Sequence, residues 1–240
     1  MDLDIRLQHL YAQRDYLHMQ VAQQYTPYGS ATLVLPEPDA EDLLQAYWLA
    51  PTPEAHVARL LDIWALPPDA HVLDCGCGTG SFARFAQQIR PDVHWSLLGH
   101  DAAQLAQCHT DTSRLRGDMH HLPLRANSYD GVFLAYVLGY GFAPAVLEEV
   151  SRVLKPGGAL LWYDLAADHG QADHVLVTLG YQAYPVWRVR QLALHAGLQC
   201  AHIERVPMSY PAPAWKEAGA LRLFFEQEIT PVCHVWRKDG

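Results

Sequence analysis

Residues 72–82 have the sequence VLDCGCGTGSF, a short apolar strand followed by a glycine-rich turn and the start of a helix. The glycines at 76, 78 and 80 permit backbone angles with positive φ and allow a ligand to approach the main chain closely. The first turn of the helix that follows carries free N–H groups, which favour electron-rich or anionic groups. The stretch therefore predicts a ligand-binding turn between a strand and a helix.

Downstream of residue 70, short apolar strands alternate with amphipathic helices. We predict strands over residues 71–74, 93–98, 112–116, 129–135, 159–163, 198–206 and 231–237. We predict helices over residues 82–89, 102–108, 145–154 and 185–196. This alternation is typical of an α/β fold, and we expect a doubly wound, mostly parallel seven-stranded sheet with helices on both faces and an antiparallel C-terminal strand. Ligands of such sheets bind beyond the carboxyl ends of the strands.

The N-terminal part differs from the rest in that we predict helices and no strands there, with a proline- and glycine-bearing loop over residues 26–39. We predict one amphipathic helix over residues 5–24, a second over 40–49 and a third that begins at Thr52-Pro53. Residues 1–66 are therefore expected to form a helical cap or lid, and residues 67–240 the ligand-binding domain. The cap would present an aromatic face made of Tyr25, Tyr28, Tyr47 and Trp48.

Composition narrows the functional class. The chain has 17 basic and 26 acidic residues and a net charge of −9, which makes nucleic acid an unfavourable partner. No segment has the pattern of a secretion signal or of a membrane span, and five cysteines with two of them inside the glycine-rich turn suggest reduced thiols. We expect a cytoplasmic protein that binds no membrane. None of the 14 histidines has a metal-ligand spacing, so no metal site is expected.

The identity of the ligand depends on Asp74 and Ser81. NAD and FAD binders use a G-x-G-x-x-G turn, which would place a glycine at position 81, where this chain has Ser81. A carboxylate at Asp74, at the end of the strand, would repel the pyrophosphate of a dinucleotide but would favour a cationic amine. NAD is therefore the less favoured cofactor.

The sequence D-x-G-C-G-T-G resembles the first motif of the class I S-adenosylmethionine (SAM) methyltransferases. In that family the glycines pass under the methionine part of SAM, and the acid helps to hold its ammonium group. The resemblance thus implies that SAM is the cofactor. It assigns cofactor binding to Asp74, Gly76, Cys77, Gly78 and Gly80.

Three later segments support the resemblance, which covers residues 70–165. Residues 117–123, GDMHHLP, resemble a family segment in which an acid accepts from the adenine amino group and the next residue packs on the ring. Asp118 and Met119 occupy those two positions. Residues 128–132 resemble the start of the family's fourth strand, and residues 147–158 resemble the helix and turn before its fifth.

The second strand departs from the family pattern, in which an acid at the strand end binds both ribose hydroxyls. An alignment without a gap places Gly99 at that position, His100 against the adenine and Asp101 at the helix N-cap. An alignment with a small deletion makes Asp101 the ribose acid instead. Both alternatives keep His100 and Asp101 among the candidate cofactor residues.

The acceptor side is expected after the fourth strand, where Ala135 and Tyr136 also count as candidate cofactor contacts. The turn typical of amino- and amide-directed methyltransferases is absent, which disfavours methylation of a nucleobase nitrogen. A small-molecule acceptor is the favoured interpretation. Methyl transfer needs a general base only if the acceptor must lose a proton. The candidates are His121, Tyr140, Asp164 and His169.

Two other functions remain open from the sequence. The altered second strand is compatible with a protein of this fold that binds a nucleoside cofactor without transferring methyl, as a regulatory or partner subunit. Methylation of RNA or of a protein by the same fold is the other. The oligomeric state is not predicted.

Overall fold

The computed structural model describes residues 53–108, 112–167, 174–176, 181–205 and 229–240. Its helices are α1 (Pro53–Trp64), α2 (Ser81–Ile89), α3 (Ala102–Gln107), α4 (Ala143–Val153) and α5 (Val186–His195), with a 3-10 turn at Leu138–Tyr140. The strands are β1 (His71–Cys75), β2 (His94–Gly99), β3 (Ser113–Arg116), β4 (Tyr129–Ala135), β5 (Leu154–Ala167), β6 (His174–Leu176), β7 (Tyr181–Ala183), β8 (Leu198–Arg205) and β9 (Ile229–Lys238). The helices expected over 5–24 and 40–49, and the aromatic face of the cap, lie outside the described residues.

Seven strands form one sheet in the order β3-β2-β1-β4-β5-β9-β8. β9 runs antiparallel to both of its neighbours, and the other adjacent pairs are parallel. The expected α/β class and mostly parallel sheet are therefore confirmed. β6 and β7 form a separate antiparallel hairpin that the sequence analysis did not predict.

The central strands β1, β4 and β5 bury both of their faces, as parallel strands between helices must. Along β5, Leu161 and Tyr163 belong to the core beneath α1, α2 and α3. Leu160 and Trp162 belong to the core beneath α4 and α5. These alternating positions show why the fifth strand is a continuous apolar run rather than a polar–apolar alternation.

Helix α1 is fixed along β5 at two points. The indole N–H of Trp64 donates to the carbonyl of Ala159 at 3.1 Å, and the His56 ring lies 5.2 Å from the Tyr163 ring, centroid to centroid. Because Tyr163 lies four residues further along β5, α1 runs from the carboxyl edge of the sheet towards its amino edge. The amino end of α1 is therefore near the edge where ligands of this fold bind.

The strand ends that form the binding edge are held in register by β1. Asp74 pairs with Leu97 of β2 and with Phe133 of β4. The segments that follow these three strands therefore start side by side at one edge of the sheet. Within the described residues, no helix is both long and apolar enough to cross a membrane.

Candidate functional site

The glycine-rich turn has the conformation that its glycines predict. Gly76, Gly78 and Gly80 have φ values of 88°, 54° and 74°. The N–H groups of Gly76 and Cys77 both donate to the carbonyl of Leu98, at 2.8 and 3.0 Å, which ties the turn to the end of β2. Gly80 is the N-cap of α2, and no side chain of the described residues caps that helix. The turn thus leaves the first amides of α2 open to a ligand.

Asp74 is a buried carboxyl group at the end of β1, with 4% of its surface exposed. Burial raises the pKa of this carboxyl to about 7. Among the described residues, no donor or cation offsets the burial. A buried acid of this kind favours a cationic group that would stabilise its charged form.

The junction between β2 and α3 contains the candidate residues His100 and Asp101. β2 ends at Gly99, and Asp101 is the N-cap of α3, where Oδ1 accepts from the amides of Ala103 and Gln104 at 2.7 and 3.3 Å. A Cβ on Gly99 would lie 3.3 Å from the Leu105 side chain, so this position is closely packed. His100 is exposed. The structure therefore contains the capping bonds of Asp101, and a contact of Asp101 with the ribose remains a prediction.

The segment after β3 places Asp118 and Met119 at the same edge. The carboxylate of Asp118 accepts from the backbone N–H of His120 at 2.9 Å and lies 2.6 Å from Nδ1 of its ring. Partial burial acts to raise the pKa of Asp118, but the His120 amide and ring outweigh it, and the pKa lies below its ordinary value. Asp118 is therefore a charged acceptor. The Met119 side chain is half-buried and lies within reach of Gly141, across the edge.

The turn after β4 joins the cofactor edge to β5. Ala135 is buried, and Tyr136 adopts a φ of 50°, which is unusual for a residue with a large side chain. The N–H of Tyr136 donates to the carbonyl of Tyr163 at 3.1 Å, and the two rings pack edge to face at 5.3 Å. This strained backbone directs the turn across the end of β5.

Of the four candidate bases, Tyr140 and Asp164 lie close together. Burial and the nearby Asp164 both raise the pKa of Tyr140 above its ordinary value. Asp164 is buried near the end of β5 and accepts from the Trp162 indole at 3.1 Å. His121 is exposed, and its backbone N–H donates to the carbonyl of Asp118 at 3.1 Å. His169 lies outside the described residues.

Two residues at this edge were not predicted from the sequence. His56 of α1 is 6% exposed, its Nε2 has no hydrogen-bond partner among the described residues, and burial lowers its pKa. His120 links Asp118 to α4, because its Nε2 accepts from the N–H of Phe142 at 2.9 Å. The spacing Asp118-x-His120 was a signal for the second contact, since two residues so placed in a turn can bond side chain to side chain. No pattern in the sequence indicated the first.

A family model described as a methyltransferase domain matches residues 73–162. A demethylmenaquinone methyltransferase from Symbiobacterium thermophilum is 32% identical over 201 residues, which cover 71% of this chain and 77% of that protein. The chain belongs to the SAM-dependent methyltransferases. SAM is the cofactor of that family, and the expected membership and cofactor are confirmed.

Other methyltransferases match over shorter segments. A malonyl-[acyl-carrier protein] O-methyltransferase from Alcanivorax borkumensis is 40% identical over 101 residues, which cover 39% of this chain and 34% of that protein. The alignments span between 34% and 54% of the length of the first three curated relatives.

The crystal structure of a geranyl diphosphate C-methyltransferase from Streptomyces coelicolor has a TM-score of 0.68 and is 14% identical, with 92% of this chain and 98% of that chain covered. The two proteins share their fold.

Two features of the glycine-rich turn bear on cofactor binding. A Cβ on Gly78 would meet no atom of the described residues within 4 Å. The buried Asp74 carboxyl lies just before that turn. Within the described ranges, no group of three or more His, Cys, Asp or Glu side chains is arranged to hold a metal ion.

Proposed function

We propose that this methyltransferase transfers a methyl group from SAM to a small-molecule acceptor. The observation that carries the proposal is the buried Asp74 carboxyl before an open glycine-rich turn, because the cofactor's ammonium group would supply the cation that the described residues do not. SAM itself supplies an activated methyl group on a sulfonium. The protein then has to align the acceptor with the methyl and sulfur and to exclude water.

The cofactor residues divide by the part of SAM that each would contact. Asp74 would hold the ammonium group, and the main chain from Gly76 to Gly80, with Cys77 and Gly78, would lie under the methionine part. Asp118 would accept from the adenine amino group while Met119 and His100 pack on the ring. Asp101 would reach the ribose through Oδ2, because Oδ1 caps α3.

The acceptor would lie above the turn after β4. Ala135 and Tyr136 would contact the cofactor near its reacting end, and Tyr140 and Asp164 would face the acceptor. Of the candidate bases that the structure describes, we favour Asp164 because it is buried and close to Tyr140, whereas His121 is exposed and its main chain is bound to that of Asp118. We also propose that residues 1–66 act as a lid, since α1 begins near this edge and brings His56 against Tyr163.

An acyl group carried on an acyl-carrier protein is a second candidate acceptor. It is favoured by several similar proteins named malonyl-[acyl-carrier protein] O-methyltransferases. The carboxylate of a malonyl group would be repelled by a charged Asp164. For this reason we favour a neutral or cationic small molecule.

The test is a methyl-transfer assay with methyl-labelled SAM. The acceptor panel contains small phenols and amines, together with malonyl thioesters presented on an acyl-carrier protein and on a short thiol. Transfer to a member of the small-molecule set supports the proposal. Transfer to the carrier-bound thioester alone would replace it with the second candidate. Binding of SAM with no transfer to any acceptor would favour a non-catalytic role.

A further inference from the structure

His120 makes two hydrogen bonds that together assign its protonation state. The N–H of Phe142 donates to Nε2 at 2.9 Å, so Nε2 carries a lone pair and no proton. The proton of a neutral ring is then on Nδ1, which lies 2.6 Å from Oδ1 of Asp118 and donates to it. The imidazole is therefore held as the neutral Nδ1–H tautomer with both ring nitrogens bonded.

These bonds connect two parts of the binding edge. Asp118 lies in the segment after β3, and Phe142 is the N-cap residue of α4, directly after the turn that contains Tyr140. A Cβ on Gly141 would lie 2.5 Å from Cε of Met119 and 3.0 Å from Nε2 of His120. The two segments thus contact each other directly, and the imidazole is the polar bridge across the contact.

Helix α4 holds the same segment at a second place. The Glu149 carboxylate accepts from the N–H of Leu122 at 2.7 Å. The Arg152 guanidinium donates to the carbonyls of Leu122 and Leu124 at 3.0 and 2.8 Å. The segment after β3 is therefore also fixed to α4 beyond His120, at Leu122 and Leu124.

We propose that His120 is a positioning residue, which orients the Asp118 carboxylate towards the adenine and couples cofactor binding to the order of the turn that precedes α4. The inference rests on the proposed adenine contact of Asp118. An amino group that donates to Asp118 would restrict the orientation of its carboxylate, and through that carboxylate it would restrict the His120 ring and the Phe142 N–H that donates to it. Cofactor binding on the adenine side thereby stabilises the turn that carries Tyr140 on the acceptor side.

Two variants separate the two halves of the bridge. In H120N, the shorter amide can donate to Asp118 from the position of Nδ1 but does not reach Phe142. In H120Q, the longer amide can accept from Phe142 at the position of Nε2 but makes no equivalent bond to Asp118. H94N is the matched control, because His94 is exposed at the start of β2, on the amino edge of the sheet.

The experiment measures binding of S-adenosylhomocysteine by calorimetry and hydrogen exchange of the Phe142 amide with and without that ligand. In the wild-type protein and in H94N we expect the ligand to slow exchange of this amide by about tenfold or more. We expect H120N to bind with an affinity within about threefold of wild type but to lose the response of the amide. We expect H120Q to keep the protected amide and to bind about five- to tenfold more weakly.

The outcomes distinguish this proposal from the proposed function. Wild-type protein that binds no S-adenosylhomocysteine overturns both. Wild-type binding combined with an unchanged Phe142 response in both variants overturns the coupling alone, as does a ring nitrogen NMR spectrum in which His120 carries its proton on Nε2. Thermal unfolding of each variant checks that the fold is retained, and a loss of binding that only follows unfolding also counts against the positioning role.

Discussion

A Cβ atom on Gly76 would lie 2.5 Å from Cγ1 of Val137, so the glycine-rich turn and the turn after β4 pack together with no room for a methyl group. Gly76 also has a φ of 88°, which side-chain-bearing residues rarely adopt. Any substitution of Gly76 would therefore introduce both a steric clash with Val137 and backbone strain. This contact fixes the separation of two segments that we assign to the cofactor site.

For G76A we expect the free energy of unfolding to fall by roughly 2–5 kcal/mol, from overpacking and backbone strain together. The matched control is G157A, at a φ of 77° and with nothing within 4 Å of the new Cβ, which has the strain without the clash. We expect G157A to lose about 1–2 kcal/mol. Urea denaturation of both variants measures the difference, and equal losses would contradict the packing of Gly76 against Val137.

G78A should separate ligand binding from folding. Its Cβ would meet no protein atom within 4 Å, so we expect a loss of stability similar to that of G157A. The methyl group would occupy the space assigned to the methionine part of SAM, and we expect the affinity for S-adenosylhomocysteine to fall by at least about tenfold, or about 1.4 kcal/mol. Calorimetric titration of G78A and G157A side by side provides the measurement. An affinity for G78A equal to that of G157A would place the ligand elsewhere.

Much of the fold could be predicted from the sequence because local patterns and global packing agree over residues 70–165. The strand predicted over residues 129–135 is Tyr129–Ala135 in the structure, and most other boundaries differ by one or two residues. The fifth strand was predicted over residues 159–163, but it extends over Leu154–Ala167 because it pairs with β9 as far as Ala167 and with β4 from Leu154. Such long-range pairing leaves no local signal.

Site residues at the ends of strands could be predicted from the sequence. Site residues that depend on the packing of distant segments could not. Asp74 could be identified from the strand end that it occupies. His56 could not, because its place beside Tyr163 depends on how α1 crosses the sheet. The β6–β7 hairpin was missed because its strands have three residues each, too few for an alternating pattern.

Asp101 provides a test of the ribose contact. D101A removes the N-cap of α3, and we expect it to lower the free energy of unfolding by about 1 kcal/mol. D101S keeps a capping oxygen but no charge, so it should restore that stability to within a few tenths of a kcal/mol. If Oδ2 also binds the ribose, D101S will bind S-adenosylhomocysteine as weakly as D101A does. If the D101S protein binds S-adenosylhomocysteine with wild-type affinity, Asp101 caps α3 but does not bind the ribose.

The buried Asp74 carboxyl should make stability depend on pH. Its pKa is raised from 3.8 to about 7 in the folded protein, so the folded state holds the proton more tightly than the unfolded state does. The raised pKa stabilises the folded protein in full below about pH 4, and this stabilisation is lost as the pH rises to about 7. The change in the free energy of unfolding is about 4 kcal/mol, at about 1.4 kcal/mol per pKa unit. D74N stays neutral, and we therefore expect its stability relative to wild type to rise between pH 4 and 7. A relative stability that is flat across this range would contradict the burial of an uncompensated carboxyl.

The most direct test of the account is calorimetric titration of S-adenosylhomocysteine at pH 6.5 in two buffers with different heats of ionisation. The cofactor's ammonium group should ionise the protonated Asp74, so wild-type protein is expected to release about half a proton or more per ligand bound. D74N should release correspondingly less and bind at least about tenfold more weakly, since it lacks the charge-assisted bond. Binding by D74N with wild-type affinity and wild-type proton release, or no binding by the wild-type protein at millimolar ligand, would contradict the assignment of this edge to SAM.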